Sequence, residues 1–500
     1  DLTNQQKTAQ AQGVFGKGVT DLSARADIRS LASFGRGWRG ALVLDGRLAD
    51  DGSGTRRLEV AGTGQDLALG QANLDGALKG ETRLTLRGTE RDGLFTIEQA
   101  TIDNPAAQVS ATGTIGDTGT DLRGSVDLRD LSALGLGWRG SFAAQGRFAD
   151  DGTGARRLTL DGTANDLSLG QAQADAALAG PTRLTLRAVE RDGILAIEEA
   201  TIANARLNAA AQGAVGGGRT DLTARLNAAS IAFLGRGIGG AVEATARVTD
   251  QDGARRITAE GTATGLRVGV AQVDPLLAGQ TSFDLAAAQS ADGAVTVDRL
   301  NVSNGQLRIA ADGDPQRGLS VDASLSDLAL LVPGFPGPAG VAGTIRQGDT
   351  TYAVELDATA PGGTRARIAG TAARDFSTVD LRISGVSDAA LVNPMLRVRS
   401  IEGAVDFDLR LNGRPALENL SGRVNLPAAQ LSDPKLGLRV ENLNATADLA
   451  GGLIRIDATG QVADGGRLTV SGPVDLRGGT ALDLRVVLDR VVLRDPNLYE

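Results

Sequence analysis

The chain has 500 residues, a formal net charge of −9, and neither cysteine nor histidine. These absences exclude disulfides, thiolate or imidazole metal ligands, and Ser-His or Cys-His nucleophile pairs. An acidic balance without a basic stripe gives no electrostatic footprint for nucleic acid, and no run of ~18 apolar residues predicts a membrane-spanning helix.

In chain order, the sequence repeats itself at an offset of one hundred residues. TDLSARADIRSL at Thr20 returns as TDLRGSVDLRDL at Thr120 and as TDLTARLNAASI at Thr220. The segment up to residue 19 reads as the tail of a preceding repeat. Repeats then run over 20–119, 120–219 and, more diverged and one residue shorter near Gln251, 220–330. Residues 331–500 form a further β region. LVPGFPGPAG (Leu331–Gly340) is the richest Pro/Gly stretch and reads as a joint between modules. The chain starts at Asp1 without Met and stops at Glu500 just after an apolar run. It therefore reads as an internal piece of a longer polypeptide.

Within the first repeat, apolar residues alternate with polar ones at a period of two, which predicts strands. The pattern covers Leu22–Ile28, Leu42–Leu48, Leu58–Val60, Leu67–Leu69, Leu84–Leu86, Phe95–Ile97 and Val109–Ile115. Asp-Gly steps at Asp51, Asp92, Asp151, Asp192, Asp252 and Asp292 predict hairpins, because this pair tolerates positive φ. The only helical signal is a short turn over Ala72–Leu78, echoed at Ala172–Leu178 and Val273–Leu277. The predicted fold class is all-β: an elongated, twisted, mostly antiparallel repeat sheet curled into a groove, with few short helical turns.

Such strands present an apolar face that must be covered. Apolar residues make up 41% of the chain but aromatics only 3%, so few bulky side chains can fill a gap between sheets ~10 Å apart. The expectation is an aliphatic trough lined by Leu84, Leu86, Phe95, Ile97, Leu184, Leu186, Val354, Leu356, Val405, Phe407, Leu409, Ile454, Ile456, Leu482 and Leu484. Open apolar strips far above a few hundred Å² are uncommon on soluble monomers, so the trough is expected to be folded shut or occupied by something greasy.

Other motifs read as structure. GRGWRG at Gly35 and GLGWRG at Gly135 fit the dinucleotide-binding G-x-G-x-x-G, but β segments flank them and a glycine corner is expected. Trp38 and Trp138 are expected to plug the trough's edge or core. The pairs Arg56-Arg57, Arg156-Arg157 and Arg255-Arg256 are expected on a solvated face beside acidic turns. No cofactor or metal is expected, and carboxylates are too dispersed to suggest an enzyme.

From about Ser320 the sequence resembles a known family. LSDLALLVPGFPGPAGVAGTI, SDAALVNPMLRVRSIEGAVDFDLRLNG, LSDPKLGLRVENLNATADLAGGLIRID and LDLRVVLDRVVLRDPNLYE are similar to the TamB family of the AsmA-like superfamily. The steps Asn393-Pro394, Asp433-Pro434 and Asp495–Tyr499 carry much of the likeness. The resemblance implies a periplasmic β-groove, joined to the inner membrane by an anchor outside this sequence. It further implies an outer-membrane BamA-like barrel partner of the TamA type. Roles in outer-membrane protein assembly or secretion and in phospholipid passage between membranes follow from it. The competing expectation is a scaffold that templates nascent outer-membrane strands on its sheet edge by β-augmentation.

Overall fold

A computed structural model describes residues 2–4, 7–16, 19–50, 52–270, 273–396, 398–477 and 481–491. Strands take 68% of the chain and helix 8%, in antiparallel sheet that is not closed into a barrel. Among the described residues helix occurs only as short turns, which form no layer over a sheet face. The chain divides into two compact units, Asp1–Arg255 and Arg256–Glu500. The division falls inside the third repeat, within the strand Ala254–Val268, and not at Leu331–Gly340. Those residues instead follow a 3-10 turn, Leu328–Leu330, and close a connection between strands that pair Leu325 with Ala339. The Asp327 carboxylate accepts from the N–H groups of Ala329 and Gly337 at 3.0 and 2.9 Å, fixing that connection as an ordered turn.

In the first unit each strand pairs with its sequence neighbours. The first repeat comprises Val19–Ile28, Trp38–Asp50, Thr55–Leu69, Glu81–Arg91, Leu94–Asp103 and Ala107–Gly116. The second comprises Gly119–Leu128, Arg139–Asp150, Ala155–Ser168, Pro181–Arg191, Ile194–Ala203 and Leu207–Gly216. The repeat therefore has one strand fewer than its alternation suggests. Leu58–Val60 and Leu67–Leu69 belong to one strand, which turns sharply at Asp66, where φ is 50°.

The two ends of the strands differ. At one end the connections are tight. Asp92-Gly93, with φ of 52° and 78°, joins the paired residues Arg91 and Leu94, and Asp192-Gly193 does the same. Both residues have the positive φ that a type I′ hairpin requires. At the other end the connections are longer and hold short helical turns. The predicted turns appear at Ala72–Asp75, Ala172–Ala177 and Asp274–Leu277. Six 3-10 turns among the described residues and the short helix Asn393–Leu396 were not expected: Leu31–Ser33, Leu131–Leu134, Ala232–Leu234, Leu328–Leu330, Ala389–Val392 and Leu417–Asn419. Several start with Ser or Asp side chains accepting the N–H two residues on, a local cap too short to carry a helical period.

Burial is concentrated at these capped ends. Leu31, Leu67, Leu131, Leu178, Leu276 and Leu277 are buried there, and half of the buried apolar residues among the described ones are alanines. The total accessible surface is 29979 Å². A compact globule of this mass would expose about 17,000 Å², and two globules of half the mass about 21,000 Å². The chain thus leaves more surface exposed than compact globules of its mass would.

One segment departs from this. Ala429, Val440, Leu443, Ala458, Val462 and Leu468 form a packed cluster, with Ile401, Leu426, Leu431 and Val470 against it. The strand Leu420–Asp433 shifts register on either side of Ala429. Its first part pairs with Ala404–Gly413 and its last part with Ser400–Glu402.

Candidate apolar face and its charged border

Residues directly opposite one another on neighbouring strands share a sheet face. Followed through the registers, one row of the first unit reads Leu22, Leu48, Leu58, Gly88, Ile97, Gly113, Leu122, Phe148, Leu158, Ala188, Ile197, Gly213, Leu222, Val248. Not one polar residue interrupts it. Leu84 and Leu184 lie in a second apolar row, and Leu86 and Leu186 in a third.

Bulges keep the rows in step. The strand Leu94–Asp103 slips by one between Ile97 and Ala100, and its equivalents slip at Ile197/Ala200 and Val297/Leu300. Without the extra residue, Ala100 and Ile102 would point to the other face.

The second unit repeats the arrangement. One of its rows runs Leu285, Leu300, Ala311, Val321, Gly343, Leu356, Ile368, Ile383, Leu409, Gly422, Leu449, Ile454, Val474, Leu482. A parallel row carries Phe407 between Gly385 and Val424, and Ile456 between Ala447 and Gly472. Val405 stands opposite Ser387, and Val354 between Ile345 and Gly370.

Of the fifteen predicted lining residues, thirteen are half-buried. Val354 is buried at 9% exposure and Leu482 is exposed at 67%. Leu484 lies between the strands Ala481–Leu482 and Arg485–Asp489, outside the paired registers. Apart from Leu484, the registers place these residues on one face within each unit. Glycines let large neighbours lie flat on it: a Cβ on Gly88 would sit 2.8 Å from the Phe95 ring, and one on Gly385 2.9 Å from the Phe407 ring.

The opposite face is polar and held by diagonal ion pairs. Arg47 donates two hydrogen bonds to Asp21 at 3.0 and 2.9 Å, Arg147 to Asp121 at 2.7 and 2.6 Å, and Arg247 to Asp221 at 2.9 and 2.7 Å. These bonds hold each carboxyl below its ordinary value. Arg382–Asp408 and Arg410–Asp380 continue the pattern in the second unit. Shallow concavities lie on this polar face. One of about 690 Å³ is floored by Gln12, Ser23, Arg25, Asp45, Arg47 and Thr85.

The apolar face has a charged border at the tight-turn end. The row next to Leu48–Leu58–Gly88 reads Asp50, Arg56, Glu90, and a hundred residues on Asp150, Arg156, Glu190. Arg56 lies 3.8 Å from Asp50 and 3.4 Å from Glu90, and Arg156 3.5 Å from both Asp150 and Glu190. Arg255 lies 3.2 Å from Asp250, and Arg256 lies 3.8 Å from Asp298. The arginine pairs thus sit beside acidic turns, as expected, but Arg56 and Arg156 share the aliphatic face. Glu90 and Glu190 carried no sequence motif; only their hundred-residue recurrence marks them.

A second set of recurring residues holds the capped ends together. The Asn104 side chain donates to the Ala77 carbonyl and the Thr82 hydroxyl, and accepts from the N–H groups of Ala106 and Ala107. Asn204 repeats this with Ala177, Thr182, Arg206 and Leu207, and Asn304 with Leu276, Thr281, Gln306 and Leu307. Thr82, Thr182 and Thr281 are almost fully buried.

The remaining motifs fall at this same rim. Trp38 and Trp138 are 37% and 36% exposed beside the capping turns. In GRGWRG a helical turn precedes and a strand follows, the reverse of a dinucleotide-binding turn. Gly40 is needed there because φ is 99° and a Cβ would lie 2.6 Å from the Asp66 carbonyl. The Asp495–Tyr499 step and Asp51 lie outside the described residues. Among the described residues no group of three or more acidic side chains is placed to hold a metal ion, and no helix is long and apolar enough to cross a membrane. Compared with known proteins, the chain matches no family model and no curated sequence.

Proposed function

We propose that the aliphatic face is a hydrophobic groove that carries phospholipid acyl chains in the periplasm. The chain would act as a module of the TamB kind, supporting lipid passage between membranes and outer-membrane protein assembly. The supporting observation is the unbroken apolar rows, which the molecule's own side chains leave partly exposed. Each methylene that moves from water onto such a surface gains about 0.8 kcal/mol. Rows of Leu, Val, Ile, Ala and Gly offer that gain at every strand and no deep pocket to hold the ligand at one. On this reading the chain binds and hands on its cargo without chemistry. It would reach the inner membrane through an anchor outside the sequence, and a BamA-like barrel at the outer membrane.

Photocrosslinking tests it. A benzoyl-phenylalanine at Leu84, Leu184 or Phe407 should capture phospholipid in cells, and the same group at Thr85, Thr185 or Asp408 on the opposite face should not. Capture of polypeptide alone at the apolar positions would overturn the proposal in favour of strand templating.

A further inference from the structure

We infer that the Asp50–Arg56–Glu90 and Asp150–Arg156–Glu190 triplets are headgroup stations for a zwitterionic phospholipid bearing a primary ammonium, whose acyl chains lie along the strands. The inference rests on the proposed lipid-carrying function and adds which headgroup is taken and which way the lipid points.

The first observation is register. Each triplet occupies the row beside the aliphatic rows and shares their face. A ligand on the apolar rows meets these charges at one end only. At the other end the face finishes under the capping turns with buried Leu31, Leu67 and Leu131.

The second observation is length. Between charge and cap lie Leu48, Gly46, Leu44 and Leu42 on one strand, a band of ~20 Å at ~3.4 Å per residue. Half the hydrocarbon core of a bilayer is ~15 Å. An acyl chain therefore fits along the strand, its headgroup at the charged border.

The third is charge geometry. In each triplet both carboxylates are anchored to their hairpin through one oxygen. Asp50 accepts from the Gly52 N–H at 2.8 Å and Glu90 from the Gly93 N–H at 3.1 Å. Asp150 and Glu190 do so at 2.9 and 3.0 Å. Their other oxygens face an arginine at 3.4 to 3.8 Å, longer than a close ion pair. Arg56 and Arg156 are 63% and 59% exposed. A guanidinium loosely held between two fixed carboxylates can turn to a phosphate and leave the carboxylates for an ammonium. The excess negative charge disfavours anionic lipids. Choline has no N–H to donate, so ethanolamine-type headgroups fit best.

The test compares phosphatidylethanolamine, phosphatidylglycerol and uncharged diacylglycerol of the same acyl chains, bound to the purified chain and to an Arg56→Ala/Arg156→Ala variant checked for retained β-sheet by circular dichroism. Phosphatidylethanolamine should bind the parent roughly tenfold or more tighter than diacylglycerol, and the variant should lose that margin while binding diacylglycerol unchanged. Phosphatidylglycerol should gain no such margin. A diazirine at the acyl terminus should label near Leu42 and Phe142, and one beside the headgroup near Leu48 and Phe148. Equal binding of all three lipids to the parent, or labelling without polarity, overturns the stations and leaves the lipid-carrying function standing. If no lipid binds the parent, both fall.

Discussion

The two hundred-residue repeats and the segment from Ser400 to Asp475 are built from the same kind of strand, yet they bury their apolar residues differently. In the repeats, Leu84, Leu86, Leu184 and Leu186 stay half-buried, and the buried leucines sit at the capped strand ends. In the later segment Val440 and Ala429 are fully buried and Leu443 nearly so, inside one cluster. The difference is backbone, since composition is similar. Two register shifts around Ala429 let one strand pair with two others along its length. The repeats shift register too, at Arg39/Ala41 and Ile97/Ala100, but each of their strands keeps one partner on each side. A strand shared along its length between two partners packs its side chains together; one with a single partner on each side leaves its face open.

The largest expected effect follows from the packed cluster. Leu443→Ala should cost about 2–5 kcal/mol, read as a lowered urea midpoint for the second unit. A loss below about 1 kcal/mol would mean that the cluster packs no better than the repeat face.

Next comes the latch at the capped ends. Asn204→Ala leaves the Ala177 carbonyl, the Thr182 hydroxyl and two N–H groups without their partner. Loss of buried hydrogen bonds of this kind costs about 1–3 kcal/mol. Hydrogen exchange should show faster opening around residues 177–182 and 204–207. Unchanged protection there would show that the helical turns are held by apolar contacts alone.

Leu184→Ala should cost less, about 1 kcal/mol, because the side chain already meets solvent. Leu184→Glu should leave far-ultraviolet circular dichroism intact while abolishing lipid capture at neighbouring positions. Unfolding by Leu184→Glu would show that this face is sealed in solution and would remove the contrast with the cluster.

The smallest effect is acid-dependent. Hydrogen bonds from Arg477 hold the Asp475 carboxyl at about 2, below its ordinary 3.8. A carboxylate depressed by folding stabilises the fold fully above its unfolded value and loses that contribution as pH falls through the folded one. The contribution should be complete at pH 6 and fade between about pH 4 and pH 2. Asp475→Asn should therefore lower the urea midpoint at pH 6 and match the parent at pH 2. The pair is largely solvated, so the change is small. Equal midpoints at both pH values would show that the pair adds nothing.

Much of the fold was legible from local chemistry. Period-two alternation placed the strands, and Asp-Gly placed the hairpins, because these signals depend on neighbouring residues only. Even the recurring bulge is visible afterwards, as the three-residue step from Ile97 to Ala100. The capping turns were missed because three residues are too few to show a helical period. The extra strand was an artefact of the break at Asp66, where one residue with positive φ interrupts an otherwise continuous strand.

By itself, the sequence determined that these are antiparallel strands with one aliphatic and one polar face, repeated every hundred residues, since side-chain alternation and turn chemistry are local properties. Only the tertiary structure decided which residues stand opposite one another. Cross-strand register depends on bulges and turn lengths summed over many strands. That register joins Leu84 and Ile97 into one face, sets Arg56 between Asp50 and Glu90 on its border, and lets Val440 disappear into a core while Leu184 meets water.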